Sequence, residues 1–162
     1  MPMHLIPSAL AAFLIFAPLG TAHADGGESS DNAQASTNPD YAAGLKAVEA
    51  KDFNRALAAF GKVVAANDQN PDAWNYLGFS TRKLGRFEEA ERHYAKALAI
   101  NPEHRGANEY LGELYLQTGR LKKAEERLAL LDRVCWLGCD AYTDLKHAVD
   151  QFKKTGKYTA TD

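Results

Sequence analysis

The stretch that decides the fold is Pro71–His104, PDAWNYLGFSTRKLGRFEEAERHYAKALAINPEH. It contains two runs of helix-forming residues, near 72–84 and 87–100, parted by Gly85-Arg86 and closed by Asn101-Pro102-Glu103. A glycine just past a helix end is a favoured stop, and proline is tolerated in a first helical turn. The segment therefore reads as two antiparallel helices joined by a tight turn.

Gly78 has counterparts 34 residues away on both sides, Gly44 and Gly112. The same spacing holds for Ala56, Ala90 and Ala124, for Phe53, Phe87 and Leu121, for Phe60, Tyr94 and Leu128, and for Ala43, Leu77 and Leu111. Columns in phase at one period are the mark of a repeat architecture. A glycine inside a helix is about 1 kcal/mol worse than alanine, so glycines held at one phase need a compensating gain. That gain is close approach: with no Cβ, a partner helix can press on the backbone. The aromatic of each second helix then fills the gap between neighbouring helices. The pattern predicts first helices near 40–50, 72–84 and 104–117, and second helices near 53–66, 87–100 and 121–133.

These residues resemble the tetratricopeptide repeat family, whose pattern is W-x2-L-G-x2-Y followed by Ala, an aromatic, Ala and Pro. The middle unit matches at Trp74, Leu77, Gly78, Ala90, Tyr94, Ala97 and Pro102, with Thr81 in place of the usual Tyr. In the first unit Asp40 and Asp68 stand at the Trp and Pro positions, and in the third Asn108 and Trp136 do. The resemblance implies an all-α fold: a right-handed α-solenoid of three helix hairpins, at about 37–70, 71–104 and 105–136 within 40–136. Residues 137–154 are expected to add a capping helix. Its Tyr142, Leu145, Ala148, Val149 and Phe152 lie at helical spacing on one face, and a terminal helix covers the packing face that the last pair otherwise exposes. The tail 155–162 is expected to be loose.

Outward on the other side, 25–39 (DGGESSDNAQASTNP) is small and polar and reads as a flexible linker. Residues 1–24 hold an almost continuous apolar run from Leu5 to Leu19 and then Thr21-Ala22-His23-Ala24. That pattern predicts a secretory signal peptide cleaved after Ala24, so the mature chain is expected to be exported to the periplasm without a stable membrane span. The leader has no Lys or Arg before its core, a departure from the usual pattern.

Composition excludes some functions. Lys and Arg total 19 against 21 Asp and Glu, a net charge of −2, whereas a nucleic-acid binder carries a basic excess. No nucleic-acid partner is expected. There is no H-E-x-x-H or G-x-S-x-G, and Gly61-Lys62 lacks the upstream glycine of a phosphate loop. His93 and His104 read as solvated, on a charged helix face and in a turn. The expected protein is therefore not an enzyme and needs no cofactor or metal.

In the resembled family, ligand peptides lie along the concave face made by first helices. Carrying over that phase gives Tyr41, Leu45 and Val48, then Asn75, Phe79 and Arg82, then Glu109, Glu113 and Leu116. Val48, Leu116 and Leu45 fit core packing as well, since an apolar stripe at helical spacing is usually packing. Phe79 and Tyr41 are the expected aromatic anchors, with Tyr76 and Tyr110 beside the groove or in the core. The phases that grip chaperone carboxylates in some relatives here hold Tyr41, Leu45, Phe79, Gly106 and Tyr110, which supply no charge-assisted donor. The implied partner is a protein or peptide with apolar groups, and a cation facing Glu109 and Glu113.

Cys135 and Cys139 are the only cysteines. In an exported chain two cysteines usually pair, so they read as a structural disulfide between the last hairpin and the capping helix. Two alternatives stay open at this point. One is thiol exchange, favoured by a helix N-terminus near Cys139. The other is Cu(I) binding by the soft thiolates, although His147, about 12 Å along a helix, is too far to join them on one ion unless the chain bends.

Overall fold

The computed structural model describes residues 28–160. The expected signal peptide and its expected cleavage point lie outside these residues. The described chain is all helical, in the order α1 (Glu28–Thr37), α2 (Pro39–Glu49), α3 (Phe53–Ala66), α4 (Pro71–Lys83), α5 (Phe87–Ile100), α6 (Arg105–Gln117), α7 (Leu121–Val134) and α8 (Asp140–Thr155). The pairs α2–α3, α4–α5 and α6–α7 form hairpins that stack in sequence into an α-solenoid, and α8 packs on both α6 and α7.

Each first helix starts on a side-chain cap. Asn38 accepts from the amides of Asp40 and Tyr41 ahead of α2, and Asn70 accepts from that of Ala73 ahead of α4, with Pro39 and Pro71 in the first turns. At α6 the cap is His104, whose Nδ1 accepts from the Ala107 amide at 3.1 Å. Its Nε2 lies 2.9 Å from Asp72, and its side chain is 11% exposed. The reading of His104 as a solvated turn residue is thus corrected, because an imidazole can satisfy an orphan helix N–H as Asn does. His93 is corrected too: it stacks on Trp74 with centroids 5.6 Å apart, and burial holds its pKa below the usual value.

The glycine columns meet their neighbours at close range. A Cβ at Gly44 would lie 2.6 Å from the Phe60 ring, and one at Gly78 would lie 2.5 Å from the Tyr94 ring. A Cβ at Gly112 would instead meet Leu145 of α8 at 2.5 Å. The in-phase residue of the third hairpin, Leu128, is only partly buried. In that hairpin Asn108 takes the family's Trp position: fully buried, it donates to the carbonyls of Pro102 and His104 and accepts from Arg127.

The stretch read as a flexible linker contains α1. It has no apolar face to speak of, but its polar groups find fixed partners. Asp31 accepts from the hydroxyls of both Tyr41 and Tyr76. Gln34 bonds to Asn70 and Asp72, and Ala35 packs on the first core cluster. Composition predicts disorder when a segment cannot bury apolar surface; here charge-assisted hydrogen bonds to buried hydroxyls supply the order instead.

Candidate functional site

The concave face carries a cavity of about 530 Å³. One side holds Val48, Lys51 and Phe53, where α2 turns into α3; Phe79, Arg82 and Lys83 come from α4. Glu109, Tyr110 and Glu113 of α6, Asp144 of α8 and Tyr158 after α8 complete the wall. Stacking of hairpins places successive first helices side by side, so residues 34 apart in sequence share a face.

Phe79 is the centre of an aromatic cluster. Its ring lies 6.0 Å from that of Phe53, edge on, and 5.0 Å from that of Tyr110, tilted. The Arg82 guanidinium lies 5.8 Å from the Phe79 centroid and 5.6 Å from the Tyr110 centroid, and Lys83 Nζ is 5.4 Å from Phe79. Phe79 and Tyr110 are half-buried, so each offers a ring face or edge to the cavity.

Beneath them Arg82 donates to Glu113 Oε2 at 2.7 Å, with both side chains almost wholly buried. Arg82 also donates to Gln117 at 3.2 Å, while its buried Nε finds no acceptor among the described residues. Removing one partner of a buried ion pair leaves an uncompensated charge, so this pair is a fixed floor of the groove. Glu109 sits differently. Burial first, then the neighbouring carboxylates of Glu113 and Asp144, push its pKa up to about 8. At neutral pH Glu109 is therefore mostly protonated, a donor and not an anion.

A smaller recess of about 180 Å³ continues past Glu109 and Tyr110, toward Asp72, Asn75 and Asp140. Lys51 and Lys83 line the groove itself, and the recess carries Asp31, Asp72 and Asp140 beside Arg105.

Of the expected groove residues, the structure brings Phe79, Arg82, Glu109 and Glu113 to one cavity. Asn75 is 5% exposed and lines only the recess. Leu45 packs on the first core cluster. Tyr41 is a correction. It is fully buried, edge on to Phe60 and Tyr76, with its hydroxyl held by Asp31. Burial and the Asp31 carboxylate push its pKa well above the usual tyrosine range. Helix α1 covers the place where Tyr41 would open to the groove. The cation expected to face Glu109 and Glu113 meets a carboxylate already in use, because Glu113 holds Arg82. Sequence reasoning missed Lys51, Phe53, Asp144 and Tyr158, none of which lies on a first helix, and also Lys83, the last residue of α4.

Cys135 and Cys139 are bonded to each other, with Cα atoms 5.6 Å apart. Cys139 is the N-cap of α8, and Cys135 is 6% exposed in the last core cluster. His147 is exposed, beside Gln151. Among the described residues no group of three or more His, Cys, Asp or Glu stands together as a metal site, and no helix is long and apolar enough to cross a membrane.

Two family models, both described as tetratricopeptide repeat, match residues 41–78 and 81–134, together more than half of the chain. No curated protein matches significantly. Among solved structures, the chain is similar to SycD, the type III secretion translocator chaperone of Yersinia enterocolitica. The TM-score is 0.66 at 16% identity over 73% of this chain and 83% of that one. PcrH, solved with the chaperone binding region of PopD, gives a TM-score of 0.61 at 19% identity over 72% and 86%. The second repeat domain of human RPAP3, solved with an HSP70 peptide, gives 0.62 at 17% identity over 74% and 98%. At these identities the likeness is one of fold.

Proposed function

Because the chain belongs to the tetratricopeptide repeat family, we propose that it is a non-enzymatic adaptor that holds a segment of a partner protein in its concave groove. The observation that carries this reading is the 530 Å³ cavity whose wall presents the Phe79–Tyr110 aromatic pair above a buried ion pair. Half-exposed aromatics beside a fully desolvated charged floor are what interface hot spots are made of. The solved complexes of PcrH and RPAP3 support a segment-binding role for such folds. The expected ligand is a peptide segment with an apolar or aromatic anchor for Phe79 and an acidic group for Lys51 and Lys83.

The setting we propose is the periplasm of a Gram-negative bacterium, reached through the leader at 1–24. The Cys135–Cys139 bond there acts as a staple that fixes how α8 leaves α7. In the exported protein, N-terminal sequencing should read from Asp25, and no free thiol should appear under denaturing, non-reducing conditions. A full-length intracellular chain would overturn the location. A pair that cycles with mild reductant or takes up Cu(I) would replace the staple by a redox or copper-handling role.

The groove is tested by capture from an envelope extract. Phe79→Ala together with Tyr110→Ala should lower capture of the partner about thirtyfold or more, since truncations at such positions cost roughly 1 kcal/mol or more each. Helicity should stay unchanged. Capture that survives both changes in a folded protein sinks the assignment.

A further inference from the structure

A piece of the chain's own tail forms part of the cavity wall. Helix α8 ends at Gly156, in the left-handed region with φ 68°, so the backbone reverses there. Thr155 Oγ1 then accepts from the Lys157 amide at 3.2 Å, closing the turn. The reversal carries Tyr158 back over the groove. Its ring packs on the core cluster that includes Leu116 and Leu145, and its hydroxyl lies 3.5 Å from Arg82 Nη1.

That position is chemically selective. The floor is a guanidinium that donates and a carboxylate that accepts. A ligand carboxylate would face Glu113, and a ligand ammonium would face Arg82. A hydroxyl accepts from Arg82, as that of Tyr158 does, and brings no charge against Glu113. The aromatic body beneath the hydroxyl fills apolar space at the same time. Tyr158 also stands between two cavities: it lines the groove and a second hollow of about 510 Å³ bounded by Phe87, Leu116 and Phe152. Its withdrawal would join the two into one longer trough.

We propose that the tail around Tyr158 is an internal occupant of the groove, and that the partner segment displaces it by presenting a tyrosine to the Arg82–Glu113 pair. The inference rests on the groove reading above and adds the ligand's class and its competitor. The two chain ends act alike: α1 closes over Tyr41 and Tyr76 at one end of the concave face, and the tail closes over Arg82 at the other. A tethered segment competes at an effective concentration near the millimolar range, so it need not bind tightly to exclude a weak ligand.

The probe is a fluorescein-labelled copy of the chain's own Thr155–Asp162, followed by fluorescence anisotropy. The mature chain with Tyr158→Ala, and separately a chain stopped after Gly156, should bind this peptide about tenfold or more tighter than the parent does. A peptide carrying Phe in place of its Tyr should bind several-fold more weakly. Circular dichroism checks that each protein keeps its helicity. In case Tyr158→Ala loosens α8, Tyr158→Phe provides a variant that keeps the ring and loses only the hydroxyl, and it should show an intermediate gain. Equal binding to parent and opened chains, or no binding at millimolar peptide, overturns the tail as occupant. Equal binding of the Tyr and Phe peptides overturns the hydroxyl requirement. Partner capture that still depends on Phe79 and Tyr110 while the tail changes nothing would leave the groove standing and remove only this inference.

Discussion

The first two hairpins and the third make the same contact with different parts of the chain. Gly44 is pressed by Phe60 and Gly78 by Tyr94, each from the hairpin's own second helix. Gly112 is pressed by Leu145, from α8. In the third hairpin the in-phase residue is Leu128, which lacks the reach of a ring and stays half-buried. The gap it leaves is taken by the next helix. The terminal helix is therefore an integral part of the third repeat as well as a cover for its open face. It also supplies Asp144 to the groove wall and leads into Tyr158.

The largest expected effect tests that difference directly. Leu145 is fully buried, and Leu145→Ala should destabilise the protein by about 3 kcal/mol, since large-to-small core changes carry both a transfer and a cavity term. Urea unfolding followed by circular dichroism measures it. A loss below about 1 kcal/mol would mean that α8 only covers the third hairpin.

The second test compares one column of three residues at the same phase, Tyr41, Asn75 and Glu109. Tyr41 is closed off by Asp31, Asn75 is buried, and Glu109 faces Glu113 and the Asp144 carboxylate of α8. The Glu109 pKa is raised from 4.5 to about 8 in the folded state. Below 4.5 the folded and unfolded chains are both protonated at this site. Between 4.5 and 8 the folded chain keeps a proton that the unfolded chain has released, so stability falls as pH rises through this window. Glu109→Gln should flatten that fall by on the order of 2 kcal/mol. Thermal unfolding of both proteins at pH 5 and pH 8 reads it, and parallel pH profiles would show that Glu109 is not the proton binder.

How much of this was legible in the sequence depends on the kind of interaction. The hairpins were legible because a glycine, an alanine and a ring repeat at fixed spacing, and helix packing imposes that spacing. Phe79, Arg82, Glu109 and Glu113 followed because the same phase sets which side of a helix faces inward. Tyr41 was misplaced because its burial comes from α1, a segment with a linker's composition and two tyrosine hydroxyls as partners. Tyr158 was missed because nothing periodic marks a tail that turns back at Gly156. Periodicity reports what helices do to each other; it is silent on what the chain ends do to the face that helices build.

Smaller effects separate the two kinds of glycine contact. A Cβ at Gly78 meets a fully buried ring, whereas one at Gly112 meets the methyl ends of Leu145. Gly→Ala in a helix gains about 1 kcal/mol in propensity, and overpacking costs roughly 1–3 kcal/mol. Gly78→Ala should therefore be net destabilising by about 1–2 kcal/mol, while Gly112→Ala should come out near zero, because Leu145 can change rotamer and the ring cannot. Equal losses in the two variants would erase the distinction between a hairpin that fills its own gap and one filled by α8.

The smallest effect concerns the turns that close the hairpins. Gly85 and Gly119 occupy the left-handed region with φ of 77° and 73°, and the first hairpin places Lys51 there with φ 55°. A side chain in that region is strained by roughly 1 kcal/mol or more, which glycine relieves, though glycine also frees the unfolded chain. Lys51→Gly should thus gain about 0.5 kcal/mol in urea unfolding. Lys51 also lines the groove, where an acidic ligand group would be met. The same variant should therefore weaken partner capture at low salt and narrow the salt dependence, since an exposed charge acts through screened attraction. A gain in stability coupled to a loss of capture would show why the strained residue stands here: the first turn borders the groove and contributes its ammonium to it. A gain in stability with unchanged capture would return Lys51 to the status of an ordinary turn residue and leave the acidic ligand group to Lys83 alone.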